Sequence, residues 1–453
     1  MTRASLCVLT VLLAIPGCSK EPLRPRGVVL FLLDTVRPDR LSCYGNRRPT
    51  SPAIDALAAR GARFEQVVSF APWTLPSIAA LLSGEPANVA FQGTLKQSLI
   101  EDLERAGVRA AAITENGWFA AKYGVDRGFD EFVEDSPFRE DDQLGKAGVG
   151  RTFKRAREWL EDHVRTRGDQ PFFLLVHSYE PHVPYARRTF TKGLSPGRVG
   201  EFFGMASLDQ LHRGLVEYDD DDLEFLEALY DGGIHEADRH VGAFVERLEA
   251  MDLAGDVVVG VTSDHGEDLG DHYRQRSGDH GHSLLDDLML VPLVIADPTG
   301  TLPAGVIENQ IRTLDILPTV LELLGVEVPP DIAGRSLIPL ARGESEGPRI
   351  AFGGSTHTGP DRTFIRHLGY KFIETIGPDS HQPPLDPAPP RVQLFDLRLD
   401  PGEVDNLAEQ RPELVERFRE LNRRIDRQGA GSIEIDPADA ELAARLKELG
   451  YLK

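Results

Sequence analysis

A chain of 453 residues, 41% hydrophobic and 27% charged, holds enough apolar side chains for a large core, which excludes a disordered chain and suits one big domain with a smaller one. Its 72 acidic against 50 basic residues give a net charge of -22, and no stretch gathers Lys and Arg into a basic stripe, which argues against nucleic acid as a partner. The same charge repels anions at long range, so a site for an anionic ester must bring its own cation, most simply a metal ion.

Residues 1–17 carry Arg3, an apolar run over 6–15 and small residues ahead of Cys18, a pattern too short to span a bilayer and suited to a signal peptide. Ile15-Pro16-Gly17-Cys18 resembles a bacterial lipobox, so the chain is expected to be exported and anchored in the cell envelope, periplasm or outer membrane, through a lipidated Cys18; an ordinary signal peptide cut nearby is the alternative. With Cys7 removed and Cys18 lipidated, Cys43 is left alone for disulfide purposes and reads as a buried structural thiol. Residues 18–26 form a Pro-rich tether.

Beyond the tether, continuous apolar runs alternate with amphipathic segments, the pattern of a sheet covered by helices on both faces. The runs fall at 28–33, 110–113, 172–176, 257–261 and 291–296. A capped helix is predicted over 51–60, a helix starting at Ile78 over 78–83, and one or two amphipathic helices over 223–251, preceded by an Asp run at 219–222 that reads as a helix N-terminus or a solvated face. From 329 to 453 shorter strand-like pieces (362–365, 370–373, 392–397) joined by Pro- and Gly-rich loops predict a smaller α+β domain, with Leu414, Phe418, Leu421 and Ile425 on one helix face packing against its sheet. The large domain then covers 27–328.

The polar residues just after the apolar runs carry the chemistry: Asp34-Thr35, then Thr114-Glu115-Asn116, then His177, then Thr262-Ser263-Asp264-His265. In open α/β folds ligands sit beyond the carboxyl ends of the strands, so these residues are expected to converge on one crevice. Asp34, Asp264 and His265 are candidate metal ligands with Thr74 beside them; two carboxylates with an imidazole suit Zn or Mn, with Ca and Mg as alternatives. Pro72 and Pro76 flank Thr74 and suggest a fixed loop that aims its hydroxyl. A strand-end Asp is, taken singly, as readily a cap or turn former, and His177, Tyr179, His235 and His272 read as satisfied loop or core residues.

At this point the residues meet a family. The segment from Gly27 through Asp34-Thr35-Val36-Arg37-Pro38-Asp39 to Gly45 resembles the opening strand and metal loop of bacterial sulfatases. Trp73-Thr74-Leu75-Pro76-Ser77 with Leu82-Ser83-Gly84 is similar to their nucleophile loop, Glu180-Pro181-His182 to their substrate-histidine segment, and Asp264-His265-Gly266-Glu267 to their second metal loop. His280-Gly281-His282, Val291-Pro292-Leu293, Asp315-Ile316-Leu317-Pro318-Thr319 and Gly334-Arg335-Ser336-Leu337 continue the likeness in order. The resemblance implies an alkaline-phosphatase-like α/β fold with a large mixed sheet flanked by helices on both faces, a smaller C-terminal α+β subdomain, and one divalent metal ion.

Departures from the pattern bear on the reaction. Sulfatases of this family typically carry Cys or Ser, oxidised to formylglycine, where this chain has Thr74, and Arg where it has Ile78; 115–118 also lacks the usual lysine. Oxidising Thr gives a ketone, so formylglycine cannot form, and a phosphorylated Thr is a more tractable intermediate than a sulfated one. The expectation is therefore a metal-dependent hydrolase of a phosphate or sulfate ester, leaning to phosphate, with Thr74 as nucleophile, His182, His280 and His282 contacting the ester or protonating its leaving alcohol, and Asn116 and Arg37 lining the pocket. The competing readings are a sulfate-ester hydrolase using Thr74 or a metal hydroxide, a headgroup transferase, and a catalytically silent, surface-anchored binding protein that keeps the fold.

Overall fold

The structure, a computed structural model, describes residues 24–91, 93–115, 117–135, 148–202, 210–213, 215–344, 347–377 and 388–428. The signal peptide, Cys18 and Asn116 therefore lie outside the described residues.

Eight strands build the main sheet: β1 (Gly27–Leu33), β2 (Ala62–Val68), β3 (Arg109–Thr114), β4 (Glu131–Glu134), β5 (Phe172–Ser178), β6 (Val257–Thr262), β7 (Leu290–Ala296) and β8 (Gly305–Arg312), in the order β4-β3-β5-β1-β6-β7-β2-β8. All neighbouring pairs are parallel except those of β7, which runs antiparallel to β6 and β2, so the sheet is mixed. Because side chains alternate across a strand, the wholly apolar β1 feeds two cores at once. Val28, Leu30 and Leu32 pack on one face with α2 (Thr74–Ser83) and α5 (Ile316–Leu323); Val29, Phe31 and Leu33 pack on the other with α1 (Pro52–Ala58), α3 (Gly148–Arg167) and α4 (Asp220–Ala250). This is the two-sided arrangement the apolar runs predict.

The predicted Asp run does open a helix: Asp219 caps α4, accepting from the Asp222 amide while the Asp222 side chain accepts from the Asp219 amide. One prediction is corrected. The helix after the nucleophile segment begins at Thr74 and not at Ile78, with extended Trp73 as its N-cap residue; Pro76 lies in the first turn, where its missing N–H costs no intrahelical bond. Thr74 is thus held by a helix end and not by the fixed loop that the two prolines suggest.

A second, antiparallel sheet orders β12 (Val392–Asp396), β11 (Tyr370–Thr375), β10 (Arg362–His367) and β9 (Ala351–Gly354), and α6 (Pro412–Gln428) stacks Phe418 on Phe372 with ring centroids 5.7 Å apart. A buried ion network joins this sheet to the main one. Asp315, just after β8, accepts from Arg312 at 2.7 Å and from the Arg335 amide at 2.9 Å, and pairs with Arg349, which leads into β9, at 3.0 Å. Burial alone would raise the Asp315 pKa, but the two guanidiniums outweigh it and hold the carboxyl at about 2. The folded value lies below the unfolded one, so this contribution to stability is present above about pH 4 and is lost as the pH falls towards 2. Asp315→Ala leaves two guanidiniums buried without their carboxylate and is expected to cost about 3–5 kcal/mol, read as a lowered urea midpoint; a midpoint within error of wild type would contradict this role.

Candidate active site

The polar residues that follow β1, β5 and β6 meet at the carboxyl edge of the sheet, where Asp34, His177, Asp264 and His265 are each buried. One ligand atom from each of Asp34, His177 and Asp264 lies within 4.8 Å of the others. His265 lies beside this group, its Nε2 3.4 Å from Asp264 Oδ2 and 3.7 Å from Asp34 Oδ1, and Thr74 Oγ1 stands 3.4 Å from the same Nε2. The hydroxyl and the Asp264–His265 pair, far apart in the chain, are thereby neighbours.

Local hydrogen bonds fix this geometry. Thr35 adopts a left-handed backbone at φ 62°, a strained state for a branched residue. It is held there by the Tyr230 hydroxyl, which donates to Thr35 O at 2.6 Å and accepts from the Arg37 amide at 3.0 Å. The Val36 amide donates to Ser263 Oγ at 2.8 Å, and Ser263 donates to His265 O, also at 2.8 Å. Asp264 Oδ1 accepts from the amides of His265 and Thr35, while its buried Oδ2 has no hydrogen-bond donor among the described residues. His265 donates Nδ1–H to Gly266 O at 2.8 Å, so the lone pair of its Nε2 faces the carboxylates and Thr74.

The electrostatics describe a site short of positive charge. Burial pushes the Asp264 carboxyl upward, and the nearby Asp34 adds to the rise. Burial would also raise Asp34, but the hydrogen bond from His177 and the charges of His182, His177 and His265 hold it well below the usual carboxylate range. His265 falls to about 4 through burial and the charge of His280 and is neutral at pH 7. Burial would lower His177, yet its hydrogen bond to Asp34 raises it. Two buried carboxylates and an imidazole, with a second imidazole and a hydroxyl beside them, form a donor set that could hold a divalent cation. A second carboxylate group, Asp268, Asp271 and Asp287, fits one poorly: each is already paired, with His282, Arg37 and His272.

His280 packs against His265 with centroids 4.5 Å apart and against His182 at 4.9 Å. Its Nδ1 bonds Glu267 Oε1 at 2.8 Å, while Glu267 Oε2 accepts from Tyr185 OH at 2.7 Å. Burial would lower His280, but Glu267 raises it to about 9, so it is cationic at neutral pH. His182 stacks on Tyr179 at 3.9 Å, with Nδ1 2.6 Å from Val183 O and Nε2 3.1 Å from Tyr179 OH.

The structure places three of these side chains as follows. His177, read from sequence as a satisfied core residue, lies in the cluster 3.3 Å from Asp34 Oδ2. His282 is turned elsewhere: Nε2 bonds Asp268 at 3.0 Å and its ring packs on Tyr273. Arg37 does not line the cluster, because its guanidinium is bidentate on Asp39 and pairs with Asp271 and Glu267 O. Sequence reasoning also missed the roles of Glu267 and Tyr185 in fixing His280. The Glu267 position was visible beside Asp264-His265-Gly266; Tyr185 carried no signal.

A family model described as Sulfatase matches residues 26–326. Arylsulfatase K of Xenopus laevis is 24% identical over 90% of this chain and 84% of its own length. The multifunctional alkaline phosphatase superfamily protein PehA of Trinickia caryophylli is 28% identical over 54% of this chain and 53% of its own length. The solved phosphonate monoester hydrolase of Agrobacterium radiobacter superposes with a TM-score of 0.67 at 21% identity, covering 89% of this chain and 96% of that one.

Proposed function

From the premise that this chain belongs to the sulfatase family, we propose that it is a metal-dependent hydrolase of a phosphate or sulfate ester, with phosphate preferred, in which Thr74 is the nucleophile. The observation that carries the reading is the 3.4 Å approach of Thr74 Oγ1 to His265 Nε2 beside Asp34, Asp264 and His177. These four residues and Thr74 would hold the cation. When bound, it supplies positive charge that lowers the pKa of the Thr74 hydroxyl and neutralises the ester's oxyanion.

The chain's own groups supply the rest. Thr74 is the first residue of α2, so the positive end of that helix lies beside the position an ester anion takes when Thr74 attacks it in line. His280, cationic and fixed by Glu267, stands beside His265 and serves as the acid that protonates the leaving alcohol; left neutral, it then takes a proton from the water that cleaves the phosphothreonine, which releases phosphate and restores the Thr74 hydroxyl. His182 lies next to it and contacts the ester oxygens. Relatives named as an arylsulfatase and as a multifunctional alkaline phosphatase superfamily protein support both ester classes; the absence of a formylglycine precursor at Thr74 favours phosphate. We further propose export with a lipid anchor at Cys18; no described helix is long and apolar enough to cross a membrane.

The test is a panel of aryl phosphate monoester, phosphodiester, phosphonate and sulfate, assayed with and without a chelator. Phosphate or phosphonate cleavage that the chelator abolishes is the expected result. Sulfate cleavage alone would replace the phosphate preference, and no cleavage by metal-loaded protein would favour a silent binding protein. His177→Ala is expected to weaken metal binding by about 10- to 100-fold in competition with a chromogenic chelator; unchanged affinity would remove His177 from the ligand set.

A further inference from the structure

Beside Thr74 stands a wall of rings assembled from three distant segments. Trp73, the residue before Thr74, meets Trp118 edge-on at 5.4 Å and His357 at 4.6 Å; Trp118 in turn stacks on Tyr123 at 5.8 Å and meets His357 at 5.7 Å. Trp118 is 40% exposed, a large apolar side chain left facing solvent at the rim of a buried polar site.

The wall is held rigidly and joined to the cluster. Trp73 Nε1 donates to Ser355 O at 2.6 Å, which fixes the indole's orientation in the wall. The His357 and Thr358 amides donate to Gly281 O at 2.7 and 3.0 Å, tying the loop before β10 to the residue after His280. Gly281 has φ +78°, and a Cβ there would lie 2.8 Å from the His357 Cβ and 3.6 Å from the Trp73 Cβ, so only glycine lets these rings close on the site. On the other flank Phe119 is buried edge-on to His177 at 5.6 Å, which anchors the segment carrying Trp118 to the cluster itself. One side of the 117–119 segment thus backs the polar cluster while its neighbour faces outward.

We propose that Trp73, Trp118, Tyr123 and His357 form the subsite for the leaving alcohol, and that this alcohol carries a flat ring, aromatic or pyranose, that stacks on the wall. The inference rests on Thr74 as the reacting residue. An ester bound at Thr74 must project its leaving group out of the buried cluster, and the ring wall borders that exit next to His280. Stacking faces reward a ring through contact area and quadrupole fit and give a flexible alkyl chain less, so the wall acts as a selectivity element.

The experiment compares kcat/KM for three phosphate monoesters, phenyl, pyranosyl and butyl, in wild type, Trp118→Ala and Trp118→Phe. Trp118→Ala is expected to lower the ratio of ring to butyl ester by about tenfold, mainly through KM, with Trp118→Phe restoring most of it. The phenyl and pyranosyl arms show which ring the wall fits. In parallel, Thr74→Ala, freed from turnover, is expected to bind the favoured ring ester with quenching of tryptophan fluorescence, and Thr74→Ala/Trp118→Ala is expected to bind it at least about fivefold more weakly. An unchanged ratio, or equal losses on all three esters, would overturn the subsite. Full turnover by Thr74→Ala would sink the nucleophile reading instead, and the ratio measured on Trp118→Ala would still decide the wall.

Discussion

Thr74→Ala is expected to lower kcat by about 10³-fold or more while leaving the bound metal, the melting temperature and the affinity for an ester nearly as they were. The side chain is 2% exposed, and Ala removes only the hydroxyl next to His265 and one methyl group, a small change in packing. Asp34, His177, Asp264 and His265 remain to hold the cation, so the effect belongs in kcat and not in metal content. Thr74→Ser retains a hydroxyl at the same helix end and is expected to keep substantial activity. A Thr74→Ala enzyme within tenfold of wild type would transfer the nucleophile's role to water and favour the direct-hydrolysis reading.

Asp264→Asn is expected to show the second large effect, and in two opposite directions. With metal present it loses ester cleavage by about 10³-fold and loses the rise in melting temperature that metal gives the wild type, a linkage worth about 4 kcal/mol when free metal exceeds Kd a thousandfold. With a chelator present it is expected to melt above the wild type. Asp34 and Asp264 are both fully buried within 4.8 Å of one another, and like charges so placed repel strongly unless a cation lies between them. Neutralising one relieves the folded state of that repulsion. Equal melting temperatures for the two chains in chelator, together with an undiminished metal response in the variant, would contradict the assignment of Asp264 as a ligand.

The parts of the fold that sequence revealed were those whose environment leaves a mark on every residue. β1, β5 and β6 are covered on both faces, so they read as unbroken apolar runs. β2, β4 and β8 went unseen: β4 and β8 are edge strands and β2 is half-exposed in places, so their mixed residues resemble loops as much as strands. α2 starts earlier than its residues suggest because Pro72 and Pro76 read as the ends of a fixed loop, although the first helical turn tolerates Pro76. In the site, strand-end position pointed to Asp34, Asp264 and His265, but His177 sits on the same edge and was discounted, since one histidine after an apolar run carries no spacing of its own. Only the parallel pairing of β1 with β5, which sets Leu33 beside Ser178, brings that ring to Asp34. His280 and His282 look equivalent in His280-Gly281-His282, and tertiary partners separate them: Glu267 turns one towards the cluster and Asp268 holds the other away.

The claim on which the rest depends is that one cation is gathered by Asp34, His177, Asp264 and His265 beside Thr74. Elemental analysis of protein purified without chelators, run beside Asp34→Ala, tests it most directly. About one equivalent of a divalent metal is expected per wild-type chain and almost none in Asp34→Ala, which would retain its folded circular-dichroism spectrum. A wild-type chain that carries no metal, takes up none when Zn or Mn is supplied, and still cleaves esters in chelator would contradict it.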